Sequence, residues 1–406
     1  MNVKPFRALR PAPGAEKRVA AVPYDVVESD EARELARGNP DSFLHVTRPE
    51  IDLPEGTDLY SDAVYARGAE ALRELQRRQI LIRESEKSLY LYRQIMGAHS
   101  QTGVVICSHI KDYADNLIRK HEKTRQNKED DRTRHVMEMK ANAGPVFLTF
   151  RDNTVLNELM SKTQSTQAAL YDFVADDGVR HTVWRVSEDL SSWVAAFADV
   201  PLCYVADGHH RAAAAWRAGE QSKSANPQHT GNEEYNWFLS VLFPASHLSI
   251  MAYNRCVKEL NGLSVDEFLK KAAAIFDLRA VDYEVPANAR EVCMYLAGKW
   301  YSLSWQPFDA DPVSSLDVSV LQDRLLAPLL GIDDPRTNER ISFIGGIRGT
   351  AELVKRVNSG IDAVAFSMCP VSVEQMMDIA DAGQIMPPKS TWFEPKLRSG
   401  LLVHTF

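Results

Sequence analysis

The chain has 406 residues, 45% hydrophobic and 25% charged, enough apolar material for a packed core, which excludes a disordered or fibrous chain. Its 47 Lys and Arg stand against 55 Asp and Glu, a formal charge of −8, so the net basic footprint of a dedicated nucleic-acid binder is missing. The scattered cysteines (Cys107, Cys203, Cys256, Cys293 and Cys369) form no C-x-x-C pair, which excludes a zinc ribbon and fits a reducing compartment better than a disulfide framework. No stretch reaches the ~18 uninterrupted apolar residues of a membrane span, and the start MNVKPFRALRPAP lacks the apolar heart of a secretory signal. A cytoplasmic protein with neither membrane nor nucleic acid as partner is expected.

In chain order, residues 19–22 and 43–46 read as short strands beside turn residues, with a helix at 31–37 between them and a longer helix at 58–79. A strand pair is predicted at 89–92 and 103–107, with Gly97 in the turn. Residues 114–143 read as one long, charged helix whose middle has too few apolar residues for an ordinary core helix. Strands follow at 145–150 and 181–186. The segment PLCYVADGHHRAAAAWRA, residues 201–218, then gives a strand at 202–205, an Asp-Gly turn and an alanine-rich helix opening at His209 or His210. A strand at 237–244 comes next. Beyond residue 262 a helix (265–276), strands (278–281 and 292–305), a helix (318–330) and a strand–helix–strand–helix tail (341–344, 351–358, 363–368 and 373–382) describe an α+β lobe. Residues 386–400 are too proline-rich for regular structure and hold several fixed φ angles. Three lobes are expected: a strand-rich one over 1–100, a phosphate-binding core over 101–260, and a C-terminal α+β lobe with a closing tail over 261–406.

Two constellations carry candidate chemistry. In Asp207-Gly208-His209-His210-Arg211 a glycine joins a strand end to a helix start, where unpaired amides and the helix dipole favour a phosphate, and Arg211 adds a fork of donors. A capped turn with two surface histidines is the plainer alternative. The second is Arg119-Lys120-His121-Glu122-Lys123-Thr124-Arg125. Residues 119–140 hold eight Lys or Arg against five Asp or Glu, so an anion would be drawn here, and a carboxylate among cations could act as general base. A solvated helix face laced with ion pairs is the alternative. Histidine spacing argues against a transition metal, whereas Mg²⁺ carried in by phosphates needs only one or two carboxylates. The tail around Lys389, Ser390, Thr391, Trp392 and Lys396 could close over a site or simply pack its aromatics. Neither a P-loop nor a kinase-type glycine loop occurs.

From end to end the chain resembles the DUF1015 family, a group named for its lack of assigned function. The resemblance rests on VKPFRALRP (3–11), VPYDVV (22–27), NPDSFLHVTRPE (39–50), HEKTRQNKEDDR (121–132), ADGHHR (206–211) and PPKSTWFEPKLRSGL (387–401). More distantly, the Asp-Gly-His-His-Arg segment is similar to the Gly-x-x-Arg box of the ParB and sulfiredoxin-like superfamily, which implies a ParB/sulfiredoxin-like core in a mixed α+β fold. Sulfiredoxin has a cysteine where this chain has His209, and no basic recognition helix like that of ParB is evident, so the free-serine kinases are the remaining branch. That resemblance implies a kinase that phosphorylates a free amino acid, most readily L-serine, with Mg²⁺ and a phosphate donor such as ATP, ADP or pyrophosphate. Glu122, Asp207 and His210 would be catalytic. Gly208, His209, His210, Arg211, His121, Lys123 and Thr124 would hold the phosphates, and Arg119, Arg125 and Lys389 the acceptor. A nucleotide-binding switch or scaffold and a phosphate-ester hydrolase stand as alternatives.

Overall fold

Apolar runs such as residues 104–107 and 238–243 are buried throughout in the computed structural model, which describes residues 1–308 and 311–406. Such continuous burial belongs to strands covered on both faces rather than to a half-wet sheet. The architecture is mixed α+β. The chain separates into two compact units, one of residues 1–248 and 395–406 and the other of residues 249–394.

The first unit is built on a nine-stranded sheet. In chain order its strands are β1 (Val3–Lys4), β2 (Leu89–Met96), β3 (His99–His109), β4 (Ile118–Arg119), β5 (Val146–Phe150), β6 (Tyr171–Val174), β7 (Arg180–Val186), β8 (Cys203–Asp207) and β9 (Trp237–Pro244). They lie in the order β4-β8-β5-β9-β3-β2-β7-β6, with β1 also on β3. The pairings β4–β8 and β5–β9 are parallel, while β8–β5 and β9–β3 are antiparallel. Leu91, Val104, Ile106, Leu148, Phe150, Val205, Phe238 and Leu242 are part of one buried core.

Three helices frame the site: α1 (Asp62–Arg77), α2 (Gln126–Met139) and α3 (His209–Ser224). A second core, including Val19, Phe43, Leu44, Leu72 and Leu75, fills the N-terminal part of this unit. The charged middle of α2 is satisfied by polar partners on both sides. Buried Asp131 accepts from the Tyr65 hydroxyl of α1 at 2.8 Å, buried His135 meets the Val46 carbonyl at 2.9 Å, and Arg217 of α3 pairs with Glu129 and Asp130.

The second unit carries a six-stranded antiparallel sheet of β10 (Tyr253–Val257), β11 (Asp277–Val281), β12 (Glu291–Leu296), β13 (Lys299–Ser304), β14 (Ile341–Gly345) and β15 (Val364–Met368). The order is β11-β13-β12-β15-β10-β14.

Several expectations need correction. Two units replace the three lobes: a boundary at 100/101 would cut β3, and the final residues from Pro395 return to the first unit. Residues 43–46 are not a strand but lie at the helical turn Leu44–Thr47, and Val19 ends the helix Glu16–Val19. The helix expected over 114–143 is broken into a turn at Ile110–Ala114, the edge strand β4, a connector and α2. Asn116 in the left-handed region (φ 59°) ends the first of these. The single strand expected over 292–305 is a hairpin, β12 to β13, turning at Ala297-Gly298 with positive φ at both. The helix expected over 318–330 is shorter, Asp317–Leu321, and runs on into a π-turn at Gln322–Leu326.

Candidate functional site

The site follows from one pairing. Because β4 and β8 are parallel neighbours, with Ile118 opposite Cys203 and Arg119 opposite Tyr204, the segments leaving both strands emerge at the same end of the sheet. Carboxyl ends of neighbouring parallel strands are where α/β folds bind ligands. The connector after β4 carries His121, Glu122, Lys123, Thr124 and Arg125, and the turn after β8 carries Gly208, His209, His210 and Arg211.

The turn is made by Gly208, left-handed at φ 91°, which α3 follows with no side-chain hydrogen bond at its cap. First-turn amides without such an acceptor form an anion site at the positive end of the helix dipole. Just before the turn the ladder between β8 and β5 shifts register between Val205 and Asp207, an irregularity of the kind that re-aims a side chain beside a site.

Connector and turn touch directly. His209 Nδ1 lies 3.6 Å from Glu122 Oε2, and the rings of His121 and His209 meet edge to face with centroids 4.5 Å apart. The Arg125 backbone N–H donates to His210 Nε2 at 3.1 Å. Glu122 is 43% exposed, whereas His209 is buried, and among the described residues its Nε2 has no hydrogen-bond partner. Burial holds His209 and His121 neutral, pushed down to about 3, while His121 hydrogen-bonds the Val205 backbone.

Charge beneath the turn is closely matched. Burial raises the carboxyl of Asp207, but Lys396, Arg211 and His209 outweigh it and hold it below the usual carboxylate range. Arg211 Nη2 lies 3.0 Å from Asp207 and 3.7 Å from Asp25, its Nη1 donates to the Pro145 carbonyl, and its Nε is buried without a partner among the described residues. Lys396 Nζ is 3.8 Å from Asp207. Its segment is fixed by Gln94 and Gln101, which donate to the carbonyls of Lys396 and Pro395. Behind Arg211 a cavity of about 40 Å³, lined in part by Tyr24, His135, Gly144 and Ser399, has room for little more than water.

The DUF1015 profile, described as a protein of unknown function, matches residues 3–319. The chain belongs to the DUF1015 family. No curated protein matches it. Among solved structures it is similar to a free serine kinase variant in complex with AMP, at 12% identity over 73% of this chain and 92% of that one, with a TM-score of 0.36. It is also similar to a C-terminally truncated SbnI from Staphylococcus aureus (10% identity, 74% and 87% coverage, TM-score 0.38) and to a conserved hypothetical protein from Pyrococcus furiosus (13%, 73% and 94%, 0.34).

In this DUF1015 protein the two predicted constellations are thus one cluster, though not every residue has the expected aspect. His121 is fully buried and supports the His209 ring instead of facing a ligand. Arg211 is a brace under the turn, its side chain 8% exposed and already neutralised. The Thr124 hydroxyl is committed to Glu129. Arg119 lies on β4 itself, and Lys123 and Arg125 are exposed. Lys389 belongs to the second unit, where its ammonium stands 5.5 Å from the Tyr253 ring centroid. Sequence reasoning gives neither Asp25 nor Lys396 a named role in the site. Both lie in segments it singled out, PYD near the N-terminus and the proline-rich tail, but nothing local tells which distant carboxylate or guanidinium they meet.

Proposed function

We propose that the protein is a small-molecule kinase that transfers a phosphoryl group from a nucleotide or pyrophosphate to the hydroxyl of a free amino acid, L-serine first among them. The observation that carries the reading is the Glu122 carboxylate beside His209 at the uncapped start of α3. An acid and an anion-binding helix end within one small volume are the parts that phosphoryl transfer needs, since it depends on positioning and charge neutralisation more than on covalent chemistry. Resemblance of the Gly-x-x-Arg box to that of the free-serine kinases points the same way.

Glu122 takes the proton of the acceptor hydroxyl as its oxygen bonds to phosphorus and the bond from phosphorus to the donor oxygen breaks. The first-turn amides of α3 hold the phosphate oxygens, and Lys123 and Arg125 are the exposed cations of the connector for the acceptor carboxylate. Asp25, one-third exposed, is more open than Asp207, so it is the carboxylate that fits a Mg²⁺ arriving with the donor, leaving Glu122 for the proton. Such an ion would supply positive charge to offset the negative charge of the transferred phosphoryl group.

The test is to incubate the protein with L-serine, Mg²⁺ and in turn ATP, ADP, CTP and pyrophosphate, and to follow products by phosphorus NMR. O-phosphoserine is the expected product. Free phosphate alone would make it a hydrolase, saturable nucleotide binding without turnover would make it a switch, and no binding of any donor would remove the reading altogether.

A further inference from the structure

The second unit contains a buried cation that no carboxylate balances among the described residues. Arg255 sits in the middle of β10, between Phe343 of β14 and Phe366 of β15, and is only 4% exposed. Its Nη1 donates to the Tyr253 carbonyl and its Nη2 to the Lys389 carbonyl at 3.2 Å, and its guanidinium lies 5.5 Å from the Phe343 ring centroid. Among the described residues no Asp or Glu pairs with it, and burial lowers it to about 10. An arginine stripped of water without an anion is costly, and its planar fork of donors matches a carboxylate.

Arg255 faces a cavity of about 370 Å³ lying wholly within this unit, a volume typical of small-ligand sites. Val318, Leu326, Ile341, Phe343, Pro387 and Pro388 give it apolar walls. The other charges on its lining are Asp333, Asp334 and Arg336, and the last two are paired with each other at 2.9 Å. Among the described residues of the lining Arg255 is therefore the cation without a carboxylate partner, enough for a single negative charge, while Asp333 would repel the second charge of a phosphate ester. Residues 387–390 of the proline-rich segment, tied to the acceptor through Lys389 by the sequence resemblance alone, have their place here. Lys389 adopts a left-handed φ of 57°, and Ser390 Oγ donates to the Pro387 carbonyl at 2.7 Å, in the stretch that gives its carbonyl to Arg255 and its prolines to the cavity wall. A non-glycine residue in that region is strained backbone of the kind found at ligand clamps.

We propose that this cavity is a binding site for a small monocarboxylate with an apolar body, its carboxylate on the Arg255 guanidinium and its hydrocarbon against Val318, Leu326 and Phe343. The site is independent of the kinase reading and stands or falls separately. Titration calorimetry of the full chain with 4-methylpentanoate should give saturable binding with a Kd near or below about 1 mM. The uncharged 4-methylpentanol and inorganic phosphate should bind at least about tenfold more weakly, as should 4-methylpentanoate to Arg255→Gln, because a charged hydrogen-bond partner is lost. Val318→Phe, which fills the cavity and leaves Arg255 in place, should abolish binding and keeps the test decisive if the arginine variant does not fold. Absence of saturable binding to the wild type, equal binding of acid and alcohol, or undiminished binding by Val318→Phe would each overturn the proposal.

Discussion

Glu122 Oε2 and His209 Nδ1, from segments far apart in the chain, stand 3.6 Å from one another, too far for a hydrogen bond and near enough to share one ligand. Since the neutral imidazole does not hold the carboxylate, Glu122 is available as a proton acceptor. Glu122→Gln should therefore lower turnover at least about a hundredfold with donor affinity little changed. Turnover by phosphorus NMR and donor titration by calorimetry check this, and a fully active variant would remove Glu122 from the chemistry.

Gly208→Ala should destabilise the chain by about 1–2 kcal/mol, since a left-handed φ suits only glycine well. The added Cβ would also come within 2.9 Å of Arg211 Nε. The urea midpoint reports the loss. An unchanged midpoint would mean that the turn relaxes without cost.

For Arg211 the structure predicts a stability effect ahead of a binding effect. Arg211→Met leaves Asp207 and Asp25 without their shared guanidinium and Pro145 without its donor, for a loss of roughly 3 kcal/mol. Arg211→Lys should recover only part of it, because an ammonium cannot reproduce the fork. Denaturation of both variants decides the matter, and full stability of Arg211→Met would show that the brace is dispensable.

Stability should fall on mild acidification. Burial pushes His121, His135, His181 and His209 down to about 3 from an ordinary 6.5, so below that value the unfolded chain takes up protons that the folded chain refuses. Their contribution is complete above pH 6.5 and is lost progressively as the pH falls towards 3, on the order of 1–2 kcal/mol per histidine by about pH 5. Urea unfolding at pH 7.5, 6 and 5 measures it. A flat profile would mean that these rings become charged inside the fold.

What sequence could reveal tracks element length and distance along the chain. The helix expected over 58–79 is α1 at Asp62–Arg77, and the strand expected over 237–244 is β9 at Trp237–Pro244, because long periodic stripes and unbroken apolar runs carry strong signals. The four-residue run from Phe43 to Val46 does not distinguish strand from helical turn, and packing in the N-terminal core decided for the turn. Residues 114–143 misled because alternating charge is compatible with helix throughout, whereas the break at Asn116 depends on Leu117 donating to the Asp112 carbonyl and on β4 finding β8. The site itself was half legible. Asp207–Arg211 and the Glu122 segment could be singled out from spacing, but the contributions of Asp25 and Lys396 arise from long-range contacts with Arg211 and Asp207 that no local pattern encodes.

The return of residues 395–406 to the first unit has a consequence for how the molecule is made. Lys396 reaches Asp207, Arg398 reaches Asp177, and His404 meets Asn142 and Glu234. A ribosome therefore releases the whole second unit before it delivers the last pieces of the first. Until Pro395 and the residues after it leave the exit tunnel, the Asp207 turn lacks one of its cations, so this side of the site is completed only after the second unit has been made.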